Sequence, residues 1–391
     1  MNPFEGRPLV TSVAYVTMGA LPVYVSSAQL VSLEGAIGFD AARLGVGTAM
    51  YFGLAALAAR FVAATVARIG TRNGLRVGAA LSLAASSIAA SAGVWPMILV
   101  ALCVAGLSNA FMQISTNVVL SIDVAFHRQG VSFGAKQGAV PLASAMAGAL
   151  LPSVGVAVGW RWPYVVAVVL AALAILLAPS VRDESSRASR RERHDRGSLS
   201  KALRYLALGG ACGGAAGNGL ALFVVPSAVD IGTSEAVAGT VLAVGSALVF
   251  AIRIGAGAVA DRTRSSGHRE MVVLLGLGGV ASLVLVFVDS TGWYLAAMSL
   301  ALVGAWGWPG LAYFSAVRLH PEATARATGV LLASNLTGTV VGPLVVGQLA
   351  NRGAYPWAWT ICSTLAFAAS AFMLASWRSS QLTQKDHSER V

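Results

Sequence analysis

Arg60 and Arg253 stand deep inside long apolar stretches, and no acidic residue lies mid-stretch with either of them. An ionised side chain in hydrocarbon costs about 3 kcal/mol or more, so each needs a partner or a task. A guanidinium stays charged at any physiological pH and presents a planar fork that meets a planar oxyanion through paired N–H donors. Arg253 lies eight residues before Asp261, which ends its stretch. At 1.5 Å per residue that is about 12 Å, near the middle of a ~30 Å core. Arg60 lies eight residues before Arg68 and reaches a similar depth. The chemistry this suggests is anion binding. The alternative is that Arg253 bonds carbonyls or acids at a gate.

Other polar residues in apolar stretches are candidates of a second rank. Lys136 is near enough to the start of its stretch to extend to the membrane interface. Asn109, Gln113 and Asn117 are spaced by four, share one helix face, and either line a cavity or join helices. Asn335, Asn218 and Gln29 are further cavity candidates, and Tyr51, Trp306, Trp308 and Tyr313 either flank a ligand or pack. All five His, at 127, 194, 268, 320 and 387, fall in polar loops or the tail, and Glu34, Asp123, Asp230 and Asp289 fall near stretch ends. With no imidazole or carboxylate relay at depth, the expected coupling is anion exchange, or symport with the proton on the substrate or on an acid such as Asp230. The three Cys, in separate apolar runs, offer no metal site. None of the three Lys follows a Gly, and no His-Glu-x-x-His occurs. Catalysis, a cofactor and a bound metal are therefore not expected.

The elements that must position these residues are membrane spans. Of 391 residues 56% are apolar and 11% charged, less than half the charge of a soluble domain. Twelve stretches suit α-helical spans, at 9–33, 44–67, 74–93, 96–119, 131–156, 160–178, 202–228, 236–260, 271–288, 293–317, 328–350 and 356–377. The first is too long for a signal peptide and reads as a span. With the N-terminus inside, inner segments hold 21 Lys and Arg against 3 outside, Arg43, Arg161 and Arg352. The positive-inside rule then places both termini in the cytoplasm of a cell (inner) membrane protein. The net charge of +11 sits in loops without the basic, aromatic-interleaved stripe of a nucleic-acid binder. Residues 1–178 and 202–377 are read as two six-helix bundles, 179–201 as a cytoplasmic linker and 378–391 as a cytoplasmic tail. The bundles look like copies of one unit at an offset near 194: Gly38 to Gly45 recurs at Gly232 to Gly239, Arg68 meets Arg262, and Gly159-Trp-Arg-Trp-Pro-Tyr164 falls opposite Ala354 to Trp359.

At this point the chain resembles the major facilitator superfamily of secondary transporters. Arg253-Ile-Gly-Ala-Gly257-Ala-Val-Ala-Asp261-Arg262 is similar to its loop signature, as are Arg128-Gln-Gly130, Gly159-Trp160-Arg161 and Gly338 to Pro343. The resemblance implies an all-α fold of twelve spans in two halves rocking about a central cavity, gating roles for Arg68, Asp261 and Arg262, and a small-molecule substrate, with a monomer expected. Two departures stand out. Ala67 replaces the Asp of the first signature copy, which implies a looser gate there, and the fourth span lacks the Arg of many proton-driven members. The paired arginines look like the clamp of nitrate/nitrite exchangers, and Arg253 alone like the anion-binding residue of monocarboxylate and oxalate carriers. The nitrate signatures are missing from the fifth and eleventh spans, so an organic anion is expected. Multidrug or hydrophobic-compound efflux is the alternative, since Gly342-Pro343 resembles an antiporter element. The smooth ridge Gly209, Gly213 and Gly217 is expected to admit close helix packing, and Pro22 and Pro226 to kink the first and seventh spans.

Overall fold

The computed structural model describes residues 3–123, 129–179, 200–263, 265–288, 290–320 and 323–388, and the regular structure among them is all helical. The expected stretches are occupied in order by α1 (Pro3–Ala28) with α2 (Leu30–Ile37), α3 (Ala41–Ile69), α4 (Thr71–Ala90), α5 (Trp95–Asp123) and α6 (Gln129–Leu150). A π-turn, Leu151–Gly155, carries α6 into α7 (Val156–Val158), and α8 (Trp162–Leu176) follows. Next come α9 (Lys201–Ala221) with α10 (Val224–Asp230), α11 (Glu235–Thr263), α12 (His268–Val284), α13 (Thr291–Trp306) with α14 (Pro309–Leu319), α15 (Thr324–Ala350) and α16 (Tyr355–Ser388). Among the described residues eight segments are long and apolar enough to cross a bilayer, or nine if α9 and α10, bent by 52° to one another, are counted as one. The helices α4, α8 and α12 in the other expected stretches are shorter or more polar. Most of the expected linker, Arg128 and Asp289 lie outside the described residues.

The outward faces are apolar, with Leu173 and Leu176 on α8 and Val244 and Leu248 on α11 exposed. Trp162, Trp293 and Trp357 are exposed in the first turns of α8, α13 and α16. Such amphipathic rings sit well where hydrocarbon meets headgroups. Asp40 starts α3 by accepting the Arg43 N–H, and Ser200 starts α9 by accepting that of Leu203.

Helix boundaries recur at a fixed interval. The breaks at Gln29 and Phe223, the starts of α3 and α11 and their ends are each 194 residues apart, the separation also of Tyr24 and Asn218, which hydrogen-bond to one another. Among the described residues all six glycines with left-handed φ fall at matching turns: Gly38 with Gly232, Gly159 with Gly353, and, three residues out of step, Gly70 with Gly267.

Prolines leave carbonyls that other helices claim, because Pro has no N–H for the carbonyl four residues back. Pro22 frees Met18, whose oxygen accepts from Ser82 at 3.2 Å, and Pro226 frees Leu222, whose oxygen accepts from Ser27 at 2.6 Å. The first span breaks at Gln29, seven residues past Pro22, and the seventh at Leu222 and Phe223, just before Pro226. The glycine ridge of α9 receives the break between α13 and α14: a Cβ on Gly213 would meet the Trp308 indole at 2.8 Å.

Candidate functional site

The Arg253 side chain is 3% exposed and is held by two helix defects. Pro141 leaves the Gln137 carbonyl of α6 free, and Nη1 of Arg253 donates to it. The last carbonyls of any helix lack intrahelical partners, and that of Trp306, at the end of α13, accepts Nε at 3.0 Å and also Nη2. A cation at a helix C-terminus is further favoured by the macrodipole. The guanidinium lies 5.4 Å from the Trp306 ring centre. Tyr24 and Tyr313 are both within its electrostatic reach.

Around it the helices converge. The Tyr24 hydroxyl of α1 donates to Oδ1 of Asn218 on α9 at 3.4 Å, and Nδ2 of Asn218 donates to the Thr339 hydroxyl of α15 at 3.2 Å and the Gly214 carbonyl at 3.0 Å. The Tyr24 and Trp306 rings stand 5.7 Å apart. Asn335, half-buried, backs onto Gly214. Sequence reasoning passed over Tyr24 and Thr339. Tyr24 carried a signal, its 194-residue separation from Asn218, whereas nothing in the sequence marks Thr339.

The other expected residues spread outward from this cluster. Lys136 is 6% exposed and donates to Oδ1 of Asn117 instead of extending to the interface. Asn109 is buried beside Gly19 of α1, Gln113 half-buried, and Asn117 exposed. Arg60 is exposed on α3 and makes no hydrogen bond or ion pair with a described residue, so its side chain is not brought into the buried cluster of Arg253. Both amide atoms of Gln29 are buried without a partner among the described residues.

The α6–α11 and α3–α15 seams differ. Along α6 and α11 contact is continuous: a Cβ on Gly148 would meet the Ala243 nitrogen at 2.6 Å, Ser246 bonds Ser144 at 3.0 Å, and Gly134 abuts the Arg253 carbonyl. At the end of that seam Oδ2 of Asp261 accepts the Val131 N–H, in the first turn of α6, at 3.0 Å. Along α3 and α15 the approach is close at one end only, where a Cβ on Gly45 would lie 2.6 Å from the Pro343 oxygen. Toward the other end Leu57, Arg60, Phe61, Ala67 and Arg68 are exposed, as are Gly329 and Leu332. Ala67 occupies the position that Asp261 holds in the other seam.

A bundle of bilayer-length apolar helices around a buried polar centre defines a multi-pass membrane protein. The profile of the Major Facilitator Superfamily matches residues 9–309, and the chain belongs to that superfamily. It is therefore a secondary transporter with a small-molecule substrate, working in a lipid bilayer. No curated protein matches the chain significantly.

Proposed function

We propose that the chain carries a small organic anion, of the carboxylate type, by alternating access. The observation that carries this reading is Arg253, a buried cation with no acidic partner among the described residues. Three of its five N–H groups go to carbonyls, which leaves two donors for an oxyanion. Tyr24, Asn218 and Trp306 are the groups placed to surround the rest of the ligand, with Asn335, Asn109, Gln113, Asn117 and Lys136 lining the approach and Arg60 meeting the anion outside the cluster. The recurrence of boundaries at 194 residues and the Tyr24–Asn218 contact support twelve spans in two six-helix repeats, 1–178 and 202–377, meeting on a pseudo-twofold axis. The 21-to-3 charge asymmetry supports cytoplasmic termini, linker 179–201 and tail 378–391. On that orientation the α3–α15 seam opens toward the cytoplasm, Asp261 holds the α6–α11 seam shut, and Arg68 and Arg262 flank the two gates.

Uptake of labelled monocarboxylates, dicarboxylates and organic cations into proteoliposomes tests the proposal. Saturable carboxylate uptake, lost in Arg253→Lys, is the expected result, and a preferred substrate that is cationic or neutral overturns it. The second reading, hydrophobic-compound efflux, draws on the apolar edges Leu57, Phe61 and Leu332 exposed along the open seam.

A further inference from the structure

A groove of about 580 Å³ runs between α11 and α12, on the opposite side of the Gly307 break from the Arg253 cluster. Its walls are Ala251, Gly255 and Ala256 on α11 and Val273 and Leu274 on α12, with Ile252 at its floor and Arg269 and Glu270 at one end. The α11 side is shallow because its residues are small, and a Cβ on Gly255 would meet nothing within 4 Å. The exposed faces of both helices continue with apolar residues, Val244 and Leu248 on one and Leu277 and Val280 on the other, as a hydrocarbon solvent requires.

Toward one end the groove changes character. Continuing the exposed face of α11 from Ala251 and Gly255 leads through Val259 to Arg262, and the α12 wall ends at Arg269, both exposed. Neither arginine makes a hydrogen bond or ion pair with a described residue. Asp261 is turned to the Val131 N–H, and Glu270 accepts from Ser265 through one oxygen and buries the other. From Ala251 to Arg262 the rise is about 16 Å, which is one leaflet of a ~30 Å core. An apolar trough of leaflet depth that ends at Arg269 beside Glu270, with Arg262 on the adjoining face of α11 and neither arginine paired among the described residues, complements one molecule with an acyl chain and a negative head.

We propose that this groove is a binding site for an anionic phospholipid, its acyl chain between α11 and α12 and its phosphodiester against Arg262 and Arg269. Basic pockets between membrane helices hold lipid headgroups in this way. The site rests on the membrane placement of the chain and is independent of the transported substrate. Its floor is also the back of the break above the anion cluster, since a Cβ on Gly307 would lie 3.5 Å from Ile252 and 3.7 Å from Leu274.

The test is native mass spectrometry and thermal unfolding of the full chain in detergent, titrated with phosphatidylglycerol or phosphatidylcholine. The expected result is a retained phosphatidylglycerol that raises Tm where phosphatidylcholine does not. Arg262→Gln and Arg269→Gln should each weaken it about fivefold and together roughly thirtyfold. Gly255→Leu, at an exposed position with open space, fills the trough and should abolish retention without loss of Tm in lipid-free detergent. Equal effects of the two lipids, undiminished retention in the double arginine variant or in Gly255→Leu, or cross-linking of Gly255→Cys between two copies of the chain, overturns the proposal.

Discussion

Removing the Arg253 guanidinium orphans the Gln137 and Trp306 carbonyls together, and each buried unpaired group costs about 1–3 kcal/mol. Arg253→Ala should therefore lower Tm by several degrees and lose the anion. Arg253→Lys keeps the charge without the fork and should stay closer to parental stability while anion affinity falls at least tenfold. Parental affinity in a well-folded Arg253→Lys, read by calorimetry in nanodiscs, would leave Arg253 as a helix cap only. His268, at the first turn of α12 and outside the expected spans, gives a second prediction. Its ring lies between the Ser266 and Ser376 hydroxyls at 3.1 Å each, and burial lowers its pKa to about 4. The unfolded chain takes up this proton near pH 6.5 and the folded chain only near 4, so stability should fall as pH drops from 6.5 toward 4. His268→Gln should flatten that part of the Tm-against-pH curve, and an unchanged slope would exclude His268 as its source. The depth of Arg253 was readable from its distance to Asp261. Its partners were not, because a carbonyl carries no sequence identity and becomes an acceptor here only through Pro141 and the break after Trp306.

Among elements, the contrast between the two seams is open to direct manipulation. Asp261 holds the first turn of α6, where the helix dipole favours a negative charge, and Ala67 offers nothing equivalent to α15. Ala67→Asp should add a matching acceptor at the α15 N-terminus, worth about 1 kcal/mol, and shift the population of the open seam about fivefold toward closure. Labelling of Gly329→Cys in the exposed stretch of α15 reads this, and the rate should fall by that factor when Ala67→Asp is added. An unchanged rate would mean that the seam is governed elsewhere. The missing Asp was visible in the sequence as Ala67-Arg68 against Asp261-Arg262. What that absence accompanies, a splayed α3, is a tertiary fact, since the same exposed residues on a packed helix would look no different in the sequence.

At the scale of the molecule the topology itself is testable. Impermeant thiol reagents applied to intact cells should label Arg43→Cys, Arg161→Cys and Arg352→Cys but not Arg190→Cys in the expected linker, and labelling of the last would reverse or break the proposed orientation. Transport should also respond to counter-substrate or pH and not require sodium; strict sodium dependence would overturn the expected coupling. The sequence by itself determined the all-helical, membrane-embedded class, because solvent and bilayer each impose a composition that can be counted residue by residue. It also carried the 194-residue interval, at which helix boundaries and two pairs of left-handed glycines recur among the described residues. Tertiary structure alone decided that Arg253 is enclosed while Arg60, at near-equivalent depth, is exposed, and that Lys136 reaches inward to Asn117. Depth along a helix follows from counting at 1.5 Å per residue, but which face meets a neighbour depends on how helices distant in sequence pack, and no local spacing encodes that.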